Sequence, residues 1–364
     1  MVIKVVTIYF FGALQCLYAL QLWWYSNKRS HTITRHHLQK IKLSVVIPFR
    51  NERQHLSKLL ASLQQLPEDI TVYWINDHSE DGGGEWLSQN LPAHHELLHN
   101  QGEGKKRALH SAISYIPDNH WILTLDADVE LSPFWWKNIQ DQFDPECAMI
   151  IFPISMRSGG KWIEMFQQLE FLFFQSLTKG SILRQRPQLS NGAHLAFQKK
   201  YFNTVNGYAS HQHISSGDDQ FLLAAFRKNN WKIGWAEIPQ DSISITPLTS
   251  WKDLLAQRIR WAGKSKALNV NDMRLLAFST AISNTIVLFS YWHILFQPFH
   301  ESSVPYLGFI ALKFGVEWAV LHPIKNKSSF ITLFFLIIYP LWVLIVGLSV
   351  LFLKQKWKGR PIQH

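Results

Sequence analysis

Cysteine is nearly absent, with two in 364 residues: Cys16 in an apolar stretch and Cys147 in the middle of the chain. Neither has a partner at metal-ligand spacing, so a thiolate metal centre and a disulfide framework are excluded, and a reducing compartment fits. Charge is sparse too, at 17% of residues, against about 25% in ordinary soluble domains. Acid is the scarcer sign: 26 Asp and Glu stand against 36 Lys and Arg, for a net charge of +10. A Walker-type phosphate loop is missing, which leaves an ATPase reading without support. There is no internal repeat and no low-complexity tract. His78, His194 and His211 lack ligand spacing and read as structural residues.

Apolar and aromatic residues take up the difference, with Trp alone occurring 16 times. Residues 2–25 are almost continuously apolar, with Lys4 near the start. About 20 such residues span a bilayer core. No small-residue cleavage site precedes Ser26, and Trp23, Trp24 and Tyr25 make an interfacial belt. Residues 1–26 are therefore expected to be a transmembrane signal anchor. Three more apolar stretches follow at 273–297, 304–322 and 330–353, the middle one carrying Lys313 and Glu317 four apart on one helical face. Much of the basic excess flanks these segments, at Lys28, Arg29, Arg35, Lys40 and Lys42 and in the basic tail 354–364. That placement is juxtamembrane, puts the intervening domain on the cytoplasmic side, and argues against a nucleic-acid partner. Three C-terminal spans would leave the tail outside. Either the middle stretch does not span or the last turns back at Pro340, so two or three membrane segments are expected in 273–353.

Between the apolar ends, strand and helix patterns alternate. Residues 43–48 form a β-branched run that Pro48 ends. A helix opened by residues 49–52 runs to about residue 66, with Leu56, Leu59, Leu60 and Leu63 on one face. A strand at 71–75, a helix near 85–89, and a glycine loop leading into a helix bearing Ala108, Leu109, Ala112 and Ile113 come next. The run from Trp121 then stops at Asp126 and Asp128. Residues 43–130 thus read as a parallel α/β half-sheet of nucleotide-binding type. Further on come an aromatic helix at 161–177, a strand ending near Phe197, a helix over 221–229 and a basic, aromatic helix over 251–268.

Several residues carry chemistry in this order. Asp126 and Asp128, at i and i+2 on a strand's C-terminal edge, point the same way and offer hard oxygens to Mg²⁺ or Mn²⁺ beside a diphosphate; an ordinary surface turn has the same composition. Asp77 ends the preceding strand, where it can meet a nucleobase or ribose, or simply cap a turn. Lys105 follows two glycines and can reach a phosphate or stay solvated. The pair Asp218 and Asp219 can supply a general base or cap the helix that follows. Gln257, Arg260 and Trp261 can clamp a diphosphate and stack on a sugar, or anchor an interfacial helix.

As an ordered set, Pro48, Asn51, Glu52, Asp77, Lys105, Asp126, Asp128, Asn191 with Gly192, Asp218, Asp219 and Gln257-x-x-Arg260-Trp261 resemble the family 2 glycosyltransferases of GT-A fold, in their membrane-bound inverting branch. The resemblance covers about residues 43–265. It implies an α/β GT-A domain over 43–268 with a mixed, mostly parallel sheet and helices on both faces. Asp77 would contact the donor's base, Asp126 the ribose and diphosphate, and Asp128, with Asp126, the metal. Asp219 would be the base, with Asp218 its alternative. Pro48, Asn51, Glu52 and Lys105 would line the donor site, and Gln257, Arg260 and Trp261 would hold the diphosphate and the acceptor end. Asn76 departs from the family's usual first Asp, and Asp218 from its usual Glu. The implied reaction moves a sugar from a nucleotide-sugar, UDP-linked by expectation, to a lipid-linked or saccharide hydroxyl at the inner or plasma membrane. The general look is ceramide-glucosyltransferase-like. A processive polysaccharide synthase of the same family and a catalytically silent membrane scaffold are the rival readings.

Overall fold

The computed structural model describes residues 16–28, 41–157, 159–209, 217–267, 271–298, 300, 303–321, 329–352, 356–357 and 360–361. His211, most of the expected anchor (residues 1–15) and most of the basic tail lie outside them. A helix over residues 16–26 (α1) comes first. The alternating run is β1 (Leu43–Phe49), α2 (Arg53–Leu63), β2 (Thr71–Asn76), α3 (Gly83–Asn90), β3 (His95–His99), α4 (Lys105–Tyr115) and β4 (Trp121–Leu125). It continues with β5 (Val129–Leu131), α5 (Trp135–Ile139), β6 (Met149–Ile151), β7 (Ser155–Met156), α6 (Trp162–Leu183), β8 (His194–Gln198) and α7 (Lys199–Thr204). Then come α8 (Asp218–Lys228), β9 (Ile233–Trp235), β10 (Ile243–Ile245) and α9 (Trp251–Ala267). The helices α10 (Asn271–Phe296), α11 (Ser303–Leu321) and α12 (Ser329–Phe352) follow, then a short hairpin, β11 (Lys356–Trp357) with β12 (Arg360–Pro361).

The main sheet has the order β3-β2-β1-β4-β8-β6-β9. The first four strands are parallel, and β8 runs antiparallel to both its neighbours. All seven residues of β1 are buried, as a strand covered on both faces requires. Alternation assigns its faces: Val45 and Ile47 pack with Leu56 and Leu59 of α2, while Val46 packs with Ala108, Leu109 and Ala112 of α4. A second sheet, β5-β10-β7, lies beside the end of β4.

Three local expectations are corrected. The first strand runs through Pro48 to Phe49. Proline is tolerated there because the pairing with β4 has already ended at Val46 and Thr124. The helix after it starts at Arg53, because Asn51 takes φ 53° and Asp81 Oδ2 accepts from the Arg53 amide at 2.7 Å. The acid pair Asp218–Asp219 lies inside the first turn of α8, which begins earlier than residue 221. The edge strand β3 was not anticipated. Its sequence, HELLH, is half polar because it pairs with β2 alone.

α6 is the platform between the sheets and the C-terminal helices, packing on β7 and β9 and also on α11 and α12. α1 crosses it so closely that a Cβ on Gly180 would lie 2.7 Å from the carbonyl carbon of Leu22. α11 and residues Phe330–Phe352 of α12 are long and apolar enough to cross a membrane. α12 passes through Pro340 without interruption, so the chain does not turn back there.

Candidate active site

The candidate residues gather at the C-terminal ends of β1, β2 and β4, where open α/β sheets collect ligands. Asp77 follows β2 and is 2% exposed. Its Oδ1 accepts from Asn100 Nδ2 at 2.7 Å and from the Gly104 amide at 3.0 Å. His78, with φ 58°, hydrogen-bonds the Gly102 carbonyl through Nε2 at 2.8 Å. The expected base-contacting carboxylate therefore grips the glycine loop ahead of α4, and that grip delivers Lys105 to the site. Asn51 Oδ1 accepts from the Glu80 amide at 2.9 Å, and the Asn51 amide donates to Ser79 Oγ at 3.1 Å. Asn76 Oδ1 accepts from the Ser79 amide at 2.8 Å. Asn51 and Asn76 thus shape the loop after β2.

Asp126 and Asp128 lie in the turn between β4 and β5 rather than on the strand, so the period-two argument for their common direction does not apply. Asp128 is exposed and Asp126 half-buried. Lys105 Nζ contacts Asp126 Oδ1 at 2.6 Å and Asp218 Oδ2 at 3.4 Å. One ammonium therefore joins the acid of β4 to the acid pair of α8. Gly192 closes this triangle: a Cβ there would lie 3.1 Å from Asp218 Oδ2, 3.2 Å from Asp219 Cβ and 3.4 Å from Lys105 Nζ. Loss of hydration in the cleft would lower the Lys105 pKa, but Asp126, Asp218 and Asp219 drive it well above the usual lysine value. Loss of hydration raises the Asp126 carboxyl against the pull of Lys105, with Asp128 adding to the rise. Asp128 is raised by the same desolvation and then by Glu52; water reaches it, yet protein crowds its flanks. Tyr208, unnoticed in the sequence, is buried beside the acid pair; burial first and then Asp218 raise its phenol.

On α9, Gln257 and Trp261 are held by a neighbour that sequence reasoning passed over. Arg258 Nη1 donates to Gln257 Oε1, and its guanidinium lies 4.3 Å from the Trp261 ring centroid. Arg260 is half-buried. Burial and Arg258 lower its pKa, while Asp126 raises it, so Arg260 stands within electrostatic reach of the β4 acid. Pro48 and Glu52 flank this end of β1, with Glu52 Oε2 3.8 Å from His55 Nε2. The buried ring of His194 accepts from Trp135 Nε1 at 3.3 Å, a core role.

Among the described residues no three His, Cys, Asp or Glu side chains converge as a closed metal site. The donor set still suits a hard divalent cation. Asp126 and Asp128 offer carboxylate oxygens at an open cleft, and Mg²⁺ or Mn²⁺ takes such a pair together with substrate phosphates and water.

Residues 44–205 match the family model described as glycosyl transferase family 2. No curated protein matches the chain. Among solved structures, the mannosyltransferase PcManGT from Pyrobaculum calidifontis, in complex with GDP-Man and Mn²⁺, is 14% identical with a TM-score of 0.63, over 96% of this chain and 98% of that one. S. aureus TarS 1–349 is 16% identical at a TM-score of 0.42, over 89% of this chain and 96% of that one. Glucosyl-3-phosphoglycerate synthase from Mycobacterium tuberculosis, bound to Mn²⁺, UDP and glucosyl-3-phosphoglycerate, is 13% identical at 0.41, over 61% and 78%. Of the three, the mannosyltransferase alone is near enough to bear on the fold. Residues 44–205 thus form a domain matching glycosyl transferase family 2, within a chain of GT-A fold.

Proposed function

We propose that the enzyme is a membrane-bound, metal-dependent, inverting glycosyltransferase that moves a sugar from a nucleotide-sugar to a hydroxyl presented at the membrane surface. The observation that carries this reading is the Lys105 bridge: its ammonium contacts Asp126 and Asp218 at 2.6 and 3.4 Å, so donor-side and acceptor-side acids face one small space. The mannosyltransferase of like fold was solved with GDP-Man and Mn²⁺, which supports a nucleotide-sugar donor and a divalent cation. UDP-sugars remain the first donors to try.

Asp126 and Asp128 would hold the cation, which supplies charge neutralisation to the donor's diphosphate. Arg260 and Lys105 bring positive charge to the same group, and Asp77 fixes the loop that carries Lys105. Asp219 takes the acceptor hydroxyl's proton as that oxygen attacks the anomeric carbon. The bond from that carbon to the diphosphate oxygen breaks, its electron pair leaves with the nucleoside diphosphate, and one displacement inverts the centre. Gln257 and Trp261 line the acceptor end.

The packing of α9 supports a lipid-borne acceptor, in the manner of ceramide glucosylation. Trp251 opens the helix half-exposed and lies against Phe166 of α6 and Trp342 of α12, at centroid distances of 5.4 and 5.9 Å. Farther along α9, Arg258 lies over Trp261 and donates to Glu170, which also accepts from Trp342 of α12, so the proposed acceptor end is tied to the apolar helices too. In this reading residues 43–268 form the cytoplasmic catalytic domain, and residues 1–26 with two or three helices of 273–353 anchor it. Membranes containing the protein should release nucleoside diphosphate from one of the common nucleotide-sugars, dependent on Mg²⁺ or Mn²⁺ and stimulated by lipid. Silence across those donors with folded protein would refute the proposal.

A further inference from the structure

α9 carries a charge that no substrate role requires. The Arg258 side chain is 4% exposed and that of its partner Glu170, on α6, is 3% exposed. Arg258 Nε donates to Glu170 Oε2 at 2.6 Å. The other carboxylate oxygen accepts from Nε1 of Trp342, on α12, at 3.3 Å. The same guanidinium donates to Gln257 and lies over Trp261. One buried carboxylate therefore joins three helices, and the cation it holds touches two of the three α9 residues at the site.

Stability alone does not explain such a pair, because desolvating two charges offsets most of their attraction and apolar residues of equal volume often serve as well. What the pair supplies is direction. Successive helical residues turn by about 100°, so Arg260, two positions after Arg258, lies roughly 200° around α9. Seating Arg258 on Glu170 thus sends Arg260 away from α6, toward the side where it senses Asp126.

We infer that Glu170, Arg258 and Trp342 form a positioning relay by which the membrane helix α12 fixes the rotation of α9, and with it Gln257, Arg260 and Trp261. Glu170, Arg258 and Trp342 are positioning residues that touch no substrate. The inference rests on the proposed binding roles of Gln257, Arg260 and Trp261.

The test uses full-length protein in lipid nanodiscs as wild type, Glu170→Gln, Arg258→Lys and Trp342→Phe. Hydrogen exchange is followed in α9 and α4, and kinetics are measured with whichever nucleotide-sugar the wild type turns over. In the variants, exchange in α9 should speed up about tenfold or more while α4 is unchanged. Turnover should fall about tenfold or more, beyond any loss of folded protein, since small misplacements of binding groups are costly. Arg258→Lys should fail to rescue, because one ammonium cannot bridge Glu170 and Gln257 while stacking on Trp261. Trp342→Phe keeps the ring and loses one N–H, so it serves even where the charge variants fail to fold. Unaltered α9 exchange in Trp342→Phe, or wild-type turnover in Arg258→Lys, would overturn the relay. If the wild type turns over no donor, the functional reading fails while α9 exchange still decides the coupling.

Discussion

At the residue scale the site is governed by one cation among three carboxylates. Lys105 contacts Asp126 and Asp218 in a cleft where hydration is thin, and Asp126, Asp218 and Asp219 together raise its own pKa. Asp219→Asn removes the proposed base and keeps its shape, so turnover should fall by roughly two or more orders of magnitude with donor binding retained. Calorimetric titration of nucleoside diphosphate beside a turnover assay checks this; full turnover would show that Asp219 is not the base, whereas full cellular function without turnover would favour the silent-scaffold reading. Gly192 tests the triangle differently. Its added Cβ would press on Asp218 and Asp219 at 3.1 and 3.2 Å, so Gly192→Ala should lower kcat about tenfold or more by displacing them. The folded fraction should be unchanged by circular dichroism.

At the scale of elements, α6 decides how the catalytic domain meets the apolar helices. Gly180→Ala on α6 places a methyl against the backbone of Leu22, and overpacking of this kind costs about 1–3 kcal/mol. The thermal midpoint should drop by a few degrees, as about 1 kcal/mol displaces it by roughly 1–2 °C in a chain of 364 residues. Gly308→Ala on α11 is the control: nothing lies within 4 Å of its Cβ, so its midpoint should hold or rise. Equal behaviour of the two variants would mean that α1 does not pack on α6.

Much of this element layer was legible beforehand. β1, β2 and β4 are continuous apolar runs, and α2 and α4 show their leucines and alanines at helical spacing. β3 was not legible, because an edge strand with one neighbour needs no apolar pattern. The starts of α2 and α8 differ from the pattern for separate reasons: Asp81, 28 residues away, caps the first, and the left-handed Gly217 immediately before α8, with φ 82°, sets the second.

At the scale of the whole molecule, two Trp–His pairs make stability depend on pH. Trp74 Nε1 donates to His95 Nδ1 at 3.1 Å and Trp135 Nε1 to His194 Nε2 at 3.3 Å. Burial lowers these rings to about 4 and about 3 in the folded protein, against about 6.5 unfolded. The unfolded chain thus binds more protons below pH 6.5. Stability is fully present above that pH and falls as the medium becomes more acid, by up to about 1.4 kcal/mol per pH unit per histidine, until the folded values are passed. Chemical denaturation from pH 8 to 4.5 should show this slope. It should flatten in a His95→Asn, His194→Asn double variant, which keeps an acceptor for each indole. An unchanged slope would locate the effect elsewhere.

The sequence by itself determined the alternating α/β half-sheet, the apolar ends, and the order of Asp77, Lys105, Asp126, Asp128, Asp219, Gln257, Arg260 and Trp261, because these depend on local runs and local spacing. Tertiary structure decided which side chains meet. Nothing local separates Arg258 from Arg260 on one helix. Glu170, 88 residues before Arg258, and Trp342, 172 after Glu170, select Arg258 for burial. Nor does local pattern show that the Asp77 carboxylate grips the loop at Gly104, or that Lys105 spans two acids brought from β4 and α8. Those pairings are contacts between distant segments, set by how sheet and helices pack, and spacing along the chain carries no record of them.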